Sequence, residues 1–412
     1  MMKKLLIILI ISLFSILIFS ESLTAWDNQF NPALMNSKRR GFIEIGVTPD
    51  IMFFQNLVDS KFILDNYDAS ELVIDLDEFY DGLDGEDLKI VTDDNINAYG
   101  LINFWNLGLG VYTNVDLEAK ISIPNSLLGL LTQGNEIGQT YTDSGEVVLN
   151  SIVEAGAYSS FTWKDRNLLG IKVGAFLPLI TSDKDASFEY GFSTNETSNS
   201  IEGYLNASVP AYSNFNAEEL ENLDAEMVLN NLLGNNGYKI DVGYINGYYK
   251  NPNWGVAVKN INLKKANLTK SININAEYTM EASNIVFDQS FETSENFEFV
   301  DNADVNEEYA MPIGISGFYK FTFIFDWIPF AEWYPTDSQF NFGINAKSNI
   351  FNIIPYSFNL ERDFDIWKAG FGIGLNTYLV ETRLNVSLAN SKLFNIFDLK
   401  GISAKLNLAV GF

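Results

Sequence analysis

Residues 402–412, ISAKLNLAVGF, close the chain on a segment with two unlike faces. In an extended backbone Ile402, Ala404, Leu406, Leu408, Val410 and Phe412 share one side, and Ser403, Lys405, Asn407, Ala409 and Gly411 share the other, because successive side chains of a strand alternate. The same period recurs upstream. In 367–379, Trp367, Ala369, Phe371, Ile373 and Leu375 alternate with Lys368, Gly370, Gly372, Gly374 and Asn376. In 340–347, Phe340, Phe342, Ile344 and Ala346 alternate with Asn341, Gly343, Asn345 and Lys347. In 271–280, Ile272, Ile274, Ala276, Tyr278 and Met280 alternate with Ser271, Asn273, Asn275, Glu277 and Thr279. Similar stretches lie near 41–48, 96–104, 107–122, 150–163, 168–179, 201–212, 236–246, 253–263, 312–325, 353–362 and 382–390. Many run to about 10 residues, the length that crosses a bilayer at a tilt.

A soluble sandwich or solenoid would turn these apolar faces inward. A membrane barrel turns them outward to lipid and keeps the Asn, Gly, Lys and Glu faces inside, and closure is what lets a sheet satisfy its backbone in hydrocarbon. Three features favour the barrel. The strands exceed the about 5–6 residues usual in soluble sheets. Residues 1–22, MMKKLLIILIISLFSILIFSES, place Lys3 and Lys4 before an apolar run from Leu5 to Phe19, with small residues at Ser20, Ser22 and Ala25. This is the pattern of a secretory signal peptide cut after Ser22 or Ala25, and the run is shorter than the about 20 residues of a spanning helix. Finally, Leu406, Leu408 and Val410 at two-residue steps before a terminal Phe412 resemble the C-terminal signal that barrel-assembly machinery reads in bacterial outer-membrane barrels.

Composition narrows the chemistry. Of 412 residues, 47% are hydrophobic and 14% aromatic, which excludes a disordered chain. The balance of 26 basic against 53 acidic residues, a formal charge of −27, is the reverse of a nucleic-acid-binding surface. Cysteine and histidine are both absent, which removes disulfides, thiolate chemistry, Ser-His-Asp triads and most zinc and haem sites. We therefore expect no enzyme, no cofactor, and no catalytic or metal-ligating residues. Glu361 and Asp363 flank Arg362 and read as ion pairing in a polar lumen rather than as an acid–base pair. GFGIG at 370–374 lacks the strand-to-helix setting of a dinucleotide loop; its glycines read as a narrow inner face approached by the N-terminal segment.

Acidic residues concentrate between the strands. Residues 65–95 carry 12 acids with Lys89 the one base, 185–238 carry nine acids and no base, and 271–319 carry ten and no base. These stretches hold the longest insertions, and long loops of outer-membrane barrels face outside. They read as a solvated, self-repelling surface, with cation binding as the functional alternative. DLDEFYDGLDGED at 75–87 has acid density without the EF-hand register. FDWIPFAEWY at 325–334 reads as rings around a turn, with Trp327, Trp333 and Tyr334 suited to a membrane–water interface. Two segments read as helical: 125–132 after Pro124, and 216–233, NAEELENLDAEMVLNNLL, with Leu220, Leu223, Met227 and Leu232 near helical spacing. The second is either a lid or plug over the lumen or a helix lying on a long loop.

FNPALMN at 30–36 resembles the N-P-A motif at the mature N-terminus of the FadL-type long-chain fatty-acid transporters and their PorV and TraF-like relatives. YKIDVGYINGYYKNPNWGVAVKNINL at 238–263 is similar to a hairpin of that superfamily, in which a D-x-G-x strand leads to a G-x-x-x-K-N strand. ISIPNSLLGLL at 121–131, followed by Gly134 and Asn135, resembles an uncharacterised branch of it. The resemblance implies an all-β transmembrane antiparallel β-barrel of about 14 strands with a short N-terminal lumen segment and acidic extracellular loops. Asn31, Pro32 and Ala33 would belong to the plug, and Pro32 holds Asn31 extended as the chain enters the lumen. The expected organisation is a signal peptide over 1–25, a lumen segment over 26–40, and the barrel over 41–412. Its setting would be the outer membrane of a Gram-negative-type envelope, in contact with that membrane's lipids. The expected function is passive passage or capture of small, including hydrophobic, molecules. The alternative is a structural or interaction barrel whose acidic loops bind an envelope partner or divalent cations.

Overall fold

The backbone N–H and C=O groups give each extended segment two hydrogen-bonding edges, and a continuous sheet uses both. In the computed structural model, the described residues are 18–20, 29–36, 42–59, 80, 82–83, 85–127, 129, 138–164, 166–183, 186–195, 200–248, 251–282, 291–351, 353–377 and 379–411. A three-residue strand, β1 (Ile18–Ser20), is followed by β2 (Ile43–Gln55), β3 (Leu88–Phe104), β4 (Leu107–Ile123), β5 (Thr140–Trp163), β6 (Asn167–Ser182), β7 (Ser187–Asn195) and β8 (Ser200–Ser213). After helices α1 (Ala217–Glu221) and α2 (Ala225–Gly234) come β9 (Gly237–Tyr248), β10 (Asn251–Lys264), β11 (Ala266–Ala282), β12 (Phe291–Tyr309), β13 (Gly314–Tyr319) and β14 (Phe321–Thr322). The chain finishes with β15 (Asp326–Tyr334), β16 (Gln339–Ile350), β17 (Ile354–Asp363), β18 (Ile366–Asn376), β19 (Val380–Asn390) and β20 (Gly401–Gly411).

The described ladders are antiparallel, and the sheet closes where β20 pairs with β2, from Glu44↔Gly411 to Phe54↔Gly401. The closed circuit passes through 16 strands rather than the expected about 14. The circuit includes β7 and β8, of which only β8 was expected, at 201–212. They form a hairpin that takes up the upper edge of β5, from Glu146↔Ser187, and returns to the top of β6 at Ile180↔Ser213. Below that level β5 and β6 pair directly. The β7 residues Phe188, Tyr190 and Phe192 do alternate with polar neighbours, but they follow the charged run at 183–185, which made the region read as loop.

The burial pattern is inverted relative to a soluble sandwich. Ile45, Ile51 and Phe53 on β2, Leu169, Ile171 and Val173 on β6, Val256 and Val258 on β10, Phe371, Ile373 and Leu375 on β18, and Ile402, Leu408 and Val410 on β20 are all exposed. Thr48, Asn97, Asn114, Glu154, Lys172, Lys239, Asp241, Lys368 and Asn407, on the opposite faces, are buried. Among the described residues no helix is long and apolar enough to cross a membrane. The greasy surface belongs to the strands.

The two rims differ. At the lower rim, which holds Phe42 and Gly411, connections are short, as at 105–106, 164–166 and 377–379. The upper rim mixes short connections, as at 364–365 and 335–338, with long ones, as at 56–87 and 391–400. One side of the wall rises further. β5 outruns β4 above Glu146↔Ser122, and β7, β8, β11 and β12 continue the sheet upward from it.

Two expectations are corrected here. Residues 271–280 are not wall but part of β11 in this upper sheet, where Ile272 is buried with Ile180 and Ala211. Residues 326–334 are not a turn but strand β15; the turn follows at 335–338. Acidic β12 likewise forms a 19-residue strand in a stretch that read as loop, because its row of acids hides the alternation.

Candidate functional site

Residues 29–36 lie inside the barrel. Pro32–Asn36 form a 3-10 turn. Proline suits its first position because it has no N–H to satisfy and its φ is already set. Asn31 caps the turn: its Oδ1 accepts from the Ala33 N–H at 2.9 Å, and its carbonyl accepts from the Leu34 N–H at 3.0 Å. The Asn31 side chain is fully buried, and its Nδ2 donates to the carbonyls of Val256 at 3.0 Å and Tyr244 at 3.4 Å. Those two residues are cross-strand partners on β10 and β9, so one side chain bridges a wall seam.

Glycine makes the approach possible. A Cβ at Gly170 on β6 would overlap the Ala33 nitrogen and the Pro32 carbonyl carbon, and one at Gly243 on β9 would overlap Asn31 Oδ1. Around this track the segment has an apolar seat. Ala33 and Leu34 pack with Leu168, Ile245, Phe318 and Ile328. Phe30 meets Phe330 edge-on at 5.8 Å and Phe318 at 6.3 Å, while Ser316 Oγ donates to its carbonyl at 2.7 Å. Met35 sits among Tyr99, Leu101, Tyr112 and Tyr158. Gln29 Nε2 donates to Asn114 Oδ1 at 2.7 Å and to Asn95 Oδ1 at 3.1 Å.

Above the seat the same strands carry a buried ionic cluster. Lys239 Nζ lies 2.7 Å from Glu154 Oε2 and 3.7 Å from Asp241 Oδ2, and donates to Asn260 Oδ1 at 2.7 Å. Lys172 Nζ lies 3.6 Å from Glu154 and 3.9 Å from the centre of the Tyr112 ring, whose hydroxyl donates to Glu154. The backbone N–H of Asn260 donates to Asp241 Oδ1 at 2.7 Å. Two cations between two carboxylates, each with further hydrogen bonds, is the arrangement in which attraction offsets the loss of hydration. Elsewhere in the lumen Lys259 pairs with Glu332, Lys320 with Asp326 at 3.3 Å, and Lys368 with Asp363 at 2.8 Å.

Asn31, Pro32 and Ala33 are thus brought together with wall residues that sequence reasoning passed over: Gly170, Glu154, Lys172, Lys239, Asp241 and Gly243. Three of these were legible as a string, since Lys239, Asp241 and Gly243 stand at two-residue steps on one face of β9. The atoms nearest the glycines of 370–374 come not from the described residues 29–36 but from the neighbouring strands, among them Ser387, Asn359, Asn385 and Pro355. Arg362 pairs with Asp365 at 2.8 Å rather than with Glu361 or Asp363. Leu408 and Val410 are exposed on β20 and Leu406 is half-buried, while Phe412 lies outside the described residues. Trp333 is exposed, and Trp327 meets Phe325 edge-on at 5.9 Å. Tyr334 points into the lumen instead, with Lys259 Nζ 5.5 Å from its ring centre. Of residues 1–25 only Ile18–Ser20 is described, paired with Ser348–Ile350 of β16. Among the described residues no group of three or more acidic side chains is placed to hold a metal ion.

Ladders, faces and interior together define a closed antiparallel β-barrel with a polar lumen that holds part of its own N-terminus. No protein-family model matches the chain, and no curated protein matches it in sequence. Solved structures similar to it include the Ralstonia pickettii toluene transporter TbuX, at 7% identity over 96% of this chain and 95% of that one, with a TM-score of 0.49. The P. putida toluene transporter TodX is similar at 8% identity over 93% and 92%, with a TM-score of 0.43. A Pseudomonas aeruginosa FadL homologue is similar at 10% identity over 95% and 98%, with a TM-score of 0.44. At such identities and TM-scores the likeness supplies no residue roles.

Proposed function

We propose that the protein is an outer-membrane barrel for passive passage or capture of small hydrophobic molecules, in which residues 29–36 are the displaceable occupant of the lumen. The observation that carries this is the apolar seat. Phe30, Ala33 and Leu34 rest on Leu168, Ile245, Phe318, Ile328 and Phe330, and Met35 on Tyr99, Leu101, Tyr112 and Tyr158, inside a lumen that also buries many Asn, Ser, Lys and Glu side chains. A molecule entering from the upper rim that displaced the segment would find there the same apolar contacts. The segment is held by few hydrogen bonds, through Gln29, Asn31 and the Phe30 carbonyl, each worth about 0.5–1.5 kcal/mol net.

The seat also adjoins a short seam. β13 and β15 pair from Ile315↔Trp333 to Phe318↔Phe330, and pairing resumes only at β14, beyond Pro329. Proline withholds an N–H from the ladder, so this is where the wall resists opening least. A sideways exit there delivers an apolar molecule to the lipid side of the wall, driven by its own concentration gradient. The outward band of Ile, Val, Leu and Phe and the signal peptide expected over 1–25 support an outer-membrane setting.

Planar-bilayer recording tests the reading. Protein lacking residues 29–36 is expected to conduct well above the full chain, and a small aromatic hydrocarbon is expected to raise the open fraction of the full chain. If neither form conducts while both show the gel shift on heating of a folded barrel, the passage reading falls.

A further inference from the structure

α1 and α2 are on the outside of the barrel. On β6 the lumen side carries Leu168, Gly170, Lys172, Gly174 and Phe176, so Ala175 and Leu177 belong to the outer face. Leu177 is nevertheless fully buried, because Phe215, Leu220, Leu223, Met227, Val228 and Leu232 cover it. Neither helix reaches over the lumen, so 216–233 is neither lid nor plug. The expected single helix is two, broken at 222–224, because Asp224 caps the second by accepting from the Met227 N–H at 2.8 Å. Asn216 and Glu219 close the first with a reciprocal capping box.

α2 has a second apolar face. Leu229 and Leu233, one turn apart, are 55% and 76% exposed. Their side of the helix is graded: Glu226 is exposed at the start and the two leucines at the end. The end leads through Asn235 and Asn236 into β9, which descends into the wall. The ladders set Ala175, Tyr238 and Lys264 at one height, and Tyr238 and Leu263 are exposed there as the uppermost apolar residues of β9 and β10. Lys264 Nζ lies 5.7 Å from the Tyr238 ring centre, the aromatic–cation pairing of a wet interface. Ala175, level with Tyr238, packs with the helix pair, so the helices stand on the outer wall at the height where the outward apolar band ends.

We propose that α1–α2 is an interfacial clasp, docked on the outer wall at the top of the lipid-facing band and burying Leu229 and Leu233 among the acyl chains of the outer leaflet. A surface helix of this kind sinks its apolar side at the boundary between headgroups and chains and keeps its charged end in water. Glu226 and the acids of α1 are that wet end. The inference rests on the lipid-facing reading of the wall.

The chain has no cysteine, so single cysteines report cleanly. Leu229→Cys and Leu233→Cys would each carry a fluorescent label in phosphatidylcholine vesicles containing lipids with nitroxide-bearing acyl chains. Ile171→Cys, in the middle of the band, and Glu226→Cys, at the wet end, serve as references. The inference expects strong quenching at positions 229, 233 and 171, shallower at 229 and 233, and little at 226. Quenching at 171 but not at 229 and 233 overturns the clasp and leaves the barrel in lipid. No quenching at 171 overturns both. Unquenched leucine positions that form disulfide-linked dimers on oxidation assign the face to a second copy of the chain, and overturn the clasp as well.

Discussion

At the scale of single residues, the absence of a side chain matters as much as its presence. Gly243 is glycine because Asn31 occupies the space where its Cβ would be. The substitution Gly243→Val adds bulk at a closed contact, where overpacking costs about 1–3 kcal/mol. The segment, held by few bonds, gives way before the ladder does. We expect Gly243→Val to fold as a barrel but to expose residues 29–36 to limited proteolysis, and an unchanged cleavage pattern would count against that contact. Lys239 is the opposite case. Its removal leaves Glu154 and Asp241 buried with Lys172 as their nearest cation, and breaking a buried pair costs about 3–5 kcal/mol. Lys239→Met should lower the temperature at which the folded band is lost on an unboiled gel, and adding Glu154→Gln should recover part of the loss. The alternation that showed Lys239 to be polar-face could not show that it had partners, since Glu154 and Lys172 come from other strands.

At the scale of elements, the same period has two destinations. Val256 and Val258 on β10 face outward at the level of the band, whereas Ile272 on β11 is buried in the upper sheet under α1. An arginine on the lipid face of a barrel costs about 2–4 kcal/mol near mid-membrane. Val256→Arg should lose that amount in equilibrium folding into vesicles; a loss near zero would mean the wall does not meet hydrocarbon. The upper sheet answers to pH instead. Asp143, at the exposed top of β5, accepts from Ser126 Oγ at 2.6 Å and from the Ser144 N–H at 2.9 Å, and these bonds hold its pKa below the usual carboxylate value. A depressed carboxylate stabilises fully above its unfolded pKa of about 3.9 and loses that effect as pH falls through the lower folded value. The turn at 125–127 should loosen from β5 below about pH 4, visible as faster amide exchange there. Asp143→Asn should abolish the pH step.

At the scale of the molecule, charge and closure act together. The formal charge is −27, and Asp93, Asp116, Glu118, Glu361 and Asp363 stand on the lumen side of their strands alongside the ionic cluster. A low-dielectric wall focuses such a field along the axis. A pore opened by removing residues 29–36 is therefore expected to favour cations, read as the sign of the reversal potential in a potassium chloride gradient. Anion selectivity would show that the lysines, rather than the acids, set the field.

The two-residue period was determined by the sequence alone, and with it the faces of β16, β18 and β20. The absence of histidine and cysteine and the acid excess were equally plain, because alternation and composition are local properties that need no neighbour; the turn at Pro32–Asn36 was not. Which apolar faces are exposed on the outer wall and which are covered by α1 and α2 was decided only by the tertiary structure. So were the strand status of β7, β12 and β15, and the choice of Gly170 and Gly243 over the glycines of 370–374 as the seat of the segment. Each of these depends on strands far apart in the chain sharing an edge or a height, and pairing of that kind leaves no mark on either strand by itself.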